Sequence, residues 1–144
     1  MNKIAKKEKQ NLLILQKIFS QFQEIIAVYL FGSYLEKKEQ ARDVDLAILL
    51  KKPVKSVVPF YMKLYPLLAE VFAPLEVDLL FLNSVSLPIC FEVISTGATL
   101  YCSDEDARTD FEYIISGRHM DFKYHLEKAR QELYELLKEE APFV

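Results

Sequence analysis

The sequence contains few cysteines and no long uninterrupted run of apolar residues. Its two cysteines, Cys90 and Cys102, do not form a metal-type doublet. Free thiols in a reducing cytoplasm are the simplest interpretation, and a single disulfide stays open. No apolar segment approaches the ~20 residues of a transmembrane helix, and the lysine-rich start does not lead into the apolar core of a signal peptide. We therefore expect a cytoplasmic protein that does not use a membrane.

An excess of positive charge is also missing. The 144 residues carry a net charge of −3, and acidic and basic residues are mixed along the chain. Gripping nucleic acid over a whole surface requires a basic face, so we expect no direct nucleic-acid binding. Hydrophobic residues make up 51% of the chain, which is enough for a core at this length. Since nothing marks a second domain, we predict a single domain over residues 1–144.

Hydrophobic periodicity predicts helices and strands that follow one another along the chain, without internal repeats. Pro66 is expected to kink or break its helix, and Ser116–Gly117 to interrupt the tail. The order favours an α/β or α+β fold with a small mixed β-sheet flanked by helices. The predicted elements are a helix over Lys3–Gln23, a strand over Ile25–Phe31, a helical turn and loop over Ser33–Arg42, a strand over Val44–Leu50, a helix from Ser56 to Phe72, a strand over Leu75–Leu82, a helix over Leu87–Ser95, a strand over Ala98–Tyr101 and a helical tail from Ser103.

The helical tail carries one apolar stripe and several tyrosines. The stripe is predicted to be its buried face. The tyrosines make the C-terminal helices our candidate partner surface, although packing of half-buried tyrosines is the commoner explanation. The stripe consists of Phe122, Leu126, Ala129, Leu133 and Leu136, and the tyrosines are Tyr101, Tyr113, Tyr124 and Tyr134.

Three aspartates lie in predicted strands or directly before one. Asp43 and Asp45 are two residues apart at the start of an apolar strand, so strand alternation puts both carboxylates on one face. Asp78 lies inside the apolar run of a later strand, where an unpaired charge needs a cation or a metal. An edge-strand position facing water is the alternative for Asp78. If the strands are neighbours, the three carboxylates converge and suit Mg²⁺, or two such ions serving a displacement at phosphorus.

A glycine and a serine end the preceding strand. Gly32 allows the backbone to come close to a ligand, and a turn that opens a helix there points N–H groups at phosphate oxygens. The Ser33 hydroxyl adds a further donor. The segment therefore predicts a phosphate-binding turn, followed after nine residues by a metal site at Asp43 and Asp45.

Together these motifs resemble the DNA polymerase β-like nucleotidyltransferase superfamily in its smallest form, the minimal nucleotidyltransferases. The motifs are specific in combination only, and Phe91–Ile94 with Gly97 is similar to the segment that follows the third aspartate in that family. The resemblance covers about residues 25–101, which we take as the core, with a helical C-terminal extension over about residues 103–140. The matching motifs are Leu30-Phe31-Gly32-Ser33, then Asp43-Val44-Asp45-Leu46, then Val77-Asp78-Leu79.

The resemblance implies a metal-dependent transfer of AMP from ATP to a hydroxyl acceptor. Asp43, Asp45 and Asp78 would be the catalytic and metal-binding residues, and Gly32 and Ser33 would hold the triphosphate. Members of this family are often antitoxins that attach AMP to a tyrosine of a partner HEPN-domain toxin. This chain departs from the family in a slightly shorter spacer and in Arg42, which stands where serine is common. Arg42 could serve as a substitute phosphate contact.

Two other functions stay open at this point. The chain could be a non-catalytic antitoxin that occludes its partner while keeping the nucleotide-binding fold. It could instead be the catalytic subunit of a nucleotidyltransferase that modifies a small molecule of the aminoglycoside type. We favour the protein acceptor because the sequence shows no appended domain for binding a small substrate. A homo-oligomer or a hetero-oligomer is compatible with each function.

Overall fold

The sheet of the computed structural model, which describes residues 2–140 and the side chains of residues 9–139, has four strands in the order β3-β2-β1-β4. The central β1 pairs antiparallel with β2 and with β4, whereas β2 pairs parallel with β3. The predicted small mixed sheet is therefore confirmed. The strands are β1 Ile25–Phe31, β2 Asp43–Leu50, β3 Glu76–Phe81 and β4 Ala98–Cys102.

Within residues 2–140, five α-helices and one 3₁₀ turn accompany the sheet. They alternate with the strands along the chain, as the periodicity predicts. The helices are α1 Asn2–Ser20, α2 Ser33–Glu36, α3 Val58–Phe72, α4 Leu87–Thr96 and α5 Glu105–Glu140, and the 3₁₀ turn is Lys38–Gln40. None of the described helices combines the length and the apolar character needed to span a bilayer.

Both faces of the sheet are covered. Alternation along β2 sends Val44, Leu46 and Ile48 to the face that packs against α1 and α3. Ala47 and Leu49 point to the other face, where they pack with residues of α4 and α5. This explains why most of β2 reads as a continuous apolar run. The polar start of the strand is the exception, and it lies at the edge of the second face.

Two predicted helix breaks do not occur. Helix α3 continues through Pro66. Proline lacks the N–H that would bond to a carbonyl of the preceding turn. Because Pro66 is exposed, water can bind that carbonyl instead. Buried Leu64 and Leu68 hold the helix on both sides of it. Helix α5 likewise runs through Gly117, since a glycine in a helix costs only ~1 kcal/mol relative to alanine.

Two helices begin two residues after the serines at which they were predicted to start. Helix α3 is preceded by Val57 as its N-cap, and the Ser56 hydroxyl accepts a hydrogen bond from the Val58 N–H at 3.2 Å. At α5 the side chain of Asp104 accepts from the Ala107 N–H at 3.1 Å. The Ser103 hydroxyl instead donates to the Ile25 carbonyl at 2.7 Å, so it ties the start of α5 to β1.

The apolar stripe of the tail is exposed, contrary to the prediction that it is buried. Phe122 and Leu133, for example, are 45% and 57% exposed. At 1.5 Å per residue, the 36 residues of α5 extend over ~54 Å, far beyond a small sheet. Only the first half of the helix packs on the domain, where Ile115 is buried. Cys90 and Cys102 are both free, in agreement with the simpler interpretation.

Asn83 connects the ends of β2 and β3. Its side-chain oxygen accepts from the Leu50 N–H at 2.8 Å, and its side-chain nitrogen donates to the Leu50 carbonyl at 3.0 Å. We expect Asn83→Ala to lower the free energy of unfolding by about 1–2 kcal/mol, because two backbone groups lose their partners. Chemical denaturation measures this change. Ser84→Ala, at the exposed neighbouring residue, is the control, and equal effects of the two substitutions would contradict this role.

Candidate active site

Four carboxylates lie on one face where β2 and β3 begin. The parallel register places Asp45 opposite Asp78 and Asp43 opposite Glu76. Because β2 and β3 start at the same edge of the sheet, and because alternate residues share a face, all four side chains lie on the α4 and α5 side. They occupy the margin of that face, next to the apolar cluster that contains Ala47 and Leu49.

The end of β1 brings a glycine against this carboxylate pair. Phe31 is the register partner of Asp45, and Gly32 follows it with a φ of 78°. A Cβ placed on Gly32 would overlap Asp45 Oδ2 and lie 3.2 Å from Asp45 Cγ. Only glycine adopts this backbone conformation at little cost and leaves room for the carboxylate. The Gly-Ser motif and the Asp-x-Asp motif are therefore in direct contact.

Helix α2 begins at this contact. The N–H groups of Leu35 and Glu36 both donate to the Gly32 carbonyl at 3.2 Å. The first N–H groups of a helix have no acceptor within it, so those of Ser33 and Tyr34 are the ones available to a ligand. Ser33 itself is exposed. The turn thus presents backbone donors next to the carboxylates, as a phosphate-binding segment requires.

The carboxylates repel one another. The pKa of Asp45 is raised, first by burial, then by the negative charges of Asp78 and Asp43, and by a hydrogen bond to Asp78. The fully ionised cluster is therefore unfavourable in the absence of a cation. A divalent cation would offset the repulsion and lower the pKa of Asp45 again.

The chemistry of the donors at this edge suits a magnesium ion whose shell is completed by substrate oxygens. Within residues 9–139, no three His, Cys, Asp or Glu side chains converge closely enough to hold a metal by themselves. The expected meeting of three carboxylates at one point is thus not seen. Asp43 lies two residues from Asp45 along β2, so their Cα atoms are ~7 Å apart. Mg²⁺ commonly takes one or two carboxylates, with waters and phosphate oxygens completing its shell, and the donors at this edge match that pattern.

Two predicted residues lie in surroundings that the sequence did not indicate. Asp78 was expected inside a buried strand, but β3 is an edge strand and Asp78 is exposed, so the edge-strand alternative was right about its exposure. Arg42 is exposed, and it forms no ion pair with the carboxylates of the described residues. Only its backbone takes part near the site, since its carbonyl accepts from the Glu76 N–H at 3.3 Å.

Glu76 is the residue at this face that sequence reasoning missed. Glu76-Val77-Asp78 repeats the two-residue spacing of Asp43-Val44-Asp45, and the two triplets pair in register. That repeated spacing was the available signal. A carboxylate at the first position of each strand predicts a four-carboxylate face once the strands are known to be parallel neighbours.

Gly97 and the buried Tyr29 hold α4 and α5 close to β1, whose end carries the site. A Cβ on Gly97 would lie 3.1 Å from the Leu30 carbonyl oxygen, so the absence of a side chain lets the end of α4 approach the end of β1. Tyr29, two residues before Phe31, is 1% exposed and donates to Glu112 Oε1 at 2.8 Å. Arg108 donates to the same oxygen at 3.0 Å. Burial and the contact with Glu112 raise the pKa of Tyr29, so it stays a neutral donor that fixes α5 to β1.

A sequence model of one protein family matches most of this chain. The family is described as polymerase beta, nucleotidyltransferase, and the match covers residues 14–106. It begins within α1 and ends at the start of α5, so it includes all four strands and every carboxylate of the site. No curated protein matches the sequence.

Several solved structures share the fold. A structure of a toxin–antitoxin with AMP-PNP matches with a TM-score of 0.62 and 23% identity, over 88% of this chain and 98% of the other. A tri-AMPylated Shewanella oneidensis HEPN toxin in complex with MNT antitoxin matches with a TM-score of 0.59 and 23% identity, over 90% and 97%. The toxin–antitoxin MntA–HepT matches with a TM-score of 0.58 and 21% identity, over 90% and 97%.

The repulsion at Asp45 has a consequence for stability. Because folding raises the pKa of Asp45, its ionised form destabilises the folded chain at neutral pH, and this cost disappears as the pH falls below the unfolded pKa of about 4. We expect Asp45→Asn to raise the melting temperature of the metal-free chain by about 1–3 °C at neutral pH, allowing for solvent screening. The gain should shrink toward acidic pH.

Thermal unfolding followed by circular dichroism in the presence of a chelator measures this effect. Asp110→Asn, at an exposed residue of α5, is the matched control and should change little. An Asp45→Asn variant that melts below the wild type at neutral pH would show that the carboxylate is stabilised rather than strained in the metal-free chain.

Proposed function

The chain belongs to the polymerase beta nucleotidyltransferase family, and on this basis we propose that it transfers AMP from ATP to a tyrosine of a partner HEPN-domain toxin and thereby acts as an antitoxin. The observation that carries the proposal is the register pair Asp45–Asp78, which lies against the backbone of Gly32. This arrangement puts anionic metal ligands and phosphate-binding donors side by side, and nucleotidyl transfer requires both.

The solved structures support the choice of nucleotide and partner. One of the matching toxin–antitoxin structures contains AMP-PNP, which indicates an adenine nucleotide for that protein. Another contains a tri-AMPylated HEPN toxin together with an MNT antitoxin. Because this chain shares their fold, we assign it the same class of reaction.

Each residue has a role in this scheme. Asp43 and Asp45 would hold Mg²⁺, which when bound supplies positive charge to the triphosphate. The N–H groups of Ser33 and Tyr34 would orient the phosphates. Asp78 would accept the proton of the acceptor hydroxyl as its oxygen attacks the α-phosphorus. A bond forms between that oxygen and phosphorus, and the bond from phosphorus to the bridging oxygen of pyrophosphate breaks.

The exposure of Asp78 favours a large acceptor. A general base is useful only where the hydroxyl can reach it, and Asp78 lies on the outermost strand and faces solvent. A tyrosine of a folded protein can approach such an edge without entering a deep pocket. A small acceptor would instead need a pocket to orient it.

ATP labelled at either the α- or the γ-phosphate tests the reaction directly. We expect label from α-labelled ATP on the cognate HEPN-domain toxin, and none from γ-labelled ATP. Transfer should require Mg²⁺ and should be lost in Asp45→Asn and in Asp78→Asn, while Asp110→Asn keeps it. Label from the γ-position would indicate phosphoryl transfer instead, and inhibition of the partner without any label would favour occlusion.

Gly32 provides a second test, because it separates backbone geometry from charge. We expect Gly32→Ala to lower the rate of transfer at least ~100-fold, since its Cβ must displace the Asp45 carboxylate and a 1 Å displacement can cost that much. The rate of labelled transfer at saturating ATP measures the effect. Gly117→Ala is the matched control, because a Cβ there meets nothing within 4 Å. A fully active Gly32→Ala would contradict the proposed contact.

A further inference from the structure

The second half of α5 has no partner in the described chain. Every residue from 120 to 139 is exposed, including four large apolar side chains of the predicted stripe. Helices in water depend mainly on packing of their apolar face, and a projecting segment of this length is marginal by itself. The four side chains are Phe122 at 45% exposure, Leu126 at 38%, Leu133 at 57% and Leu136 at 54%.

The stripe has the spacing of a coiled-coil seam. Its members follow one another at steps of four and three residues, and the same seam continues backwards to Ile115 and His119. That part of the seam already packs against the domain, because Ile115 is buried and His119 stacks on Phe91 of α4 with 3.7 Å between ring centroids. The unpartnered seam therefore begins at Phe122. A helix that packed against it would extend a packing surface that the domain has started.

The charges beside the seam favour one occupant. Arg118 and His125 flank the first part of one side of the seam, and Glu132 and Glu139 flank its second part. All four are exposed, and none forms an ion pair within the described residues. A positive arginine before the seam and two glutamates toward its end are complementary to their own reverse, and His125 can donate a hydrogen bond to a carboxylate, so the pattern matches an antiparallel copy of the same helix.

We propose that this chain forms an antiparallel dimer through the seam Phe122–Leu136 of α5, with a second copy of the chain as the occupant. In the register that places Leu126 opposite Ala129 of the second copy, Phe122 lies opposite Leu133. In that same register Arg118 lies opposite Glu139 and His125 lies opposite Glu132.

Other pairings are less favourable. In a parallel in-register dimer Arg118 would face Lys123, which brings like charges together, and neither Glu132 nor Glu139 would face a basic residue of the described chain. In each half of the antiparallel dimer one unfavourable contact, Lys123 opposite Arg130, stands against two favourable pairs, Arg118 with Glu139 and His125 with Glu132. The carboxylates of the candidate active site take no part in this surface, so the dimer is independent of the proposed function.

Sedimentation equilibrium of the full chain tests the proposal. We expect a dimer at micromolar concentrations, and Leu126→Lys should raise its dissociation constant at least ~10-fold by placing a charge in the seam. Tyr134→Lys is the matched control, because Tyr134 is 67% exposed on the outer side of α5. Circular dichroism should show that each variant keeps its fold, since both positions are exposed in the single chain.

Charge reversal tests the orientation. His125→Glu alone should weaken the dimer by facing Glu132 with a like charge, and His125→Glu combined with Glu132→Arg should restore it. Residues 125 and 132 are two helical turns apart, so they do not pair within one helix. A monomeric wild type, or a dimer that Leu126→Lys leaves intact, would overturn the proposal. A double reversal that restores nothing would overturn the antiparallel arrangement.

Discussion

The parallel pairing of β2 with β3 is the constraint on which the candidate site depends. It sets Asp45 opposite Asp78 and Asp43 opposite Glu76. A shift of one strand by one residue would turn both carboxylates of that strand toward the apolar core. The core enforces this register, because Val44, Leu46 and Val77 are almost fully buried on the opposite face. The same side-chain alternation that fills the core therefore assembles the acidic face, and the apolar residues between the carboxylates hold it together despite the repulsion that raises the pKa of Asp45.

Much of the fold and part of the site could be predicted from the sequence. The span of β1 and the identity of every other strand follow from apolar runs that end at turn residues, and the two-residue spacing of Asp43 and Asp45 indicates a shared face. The pairing of the strands did not follow, because periodicity within one strand says nothing about its neighbours. For that reason Glu76 was overlooked and Asp78 was expected to be buried. The helix breaks predicted at Pro66 and Gly117 were wrong for a different reason. Exposed positions in well-anchored helices tolerate residues that usually end a helix.

The two halves of α5 differ in their contacts: the first half packs on the domain and the second half is exposed. The Tyr29–Glu112–Arg108 contacts fasten the first half of α5 to β1, directly behind the candidate site. The second half of the same helix is exposed and has the heptad spacing of an interaction surface. The acidic edge is likewise open to solvent on its outermost strand. The acidic edge and the exposed half of α5 are separate surfaces, so the proposed transfer and the proposed dimer do not compete.

The central claim is that the acidic edge transfers AMP to a protein acceptor. The most direct measurement is the intact mass of the HEPN-domain partner after incubation with this chain, ATP and Mg²⁺, compared with the same incubation using Asp45→Asn. We predict that the partner gains the mass of one or more adenylyl groups with the wild type and none with the variant. A partner whose mass is unchanged while its activity is still blocked would contradict the claim, because it would show that the chain acts by binding and that its carboxylates are not used for transfer.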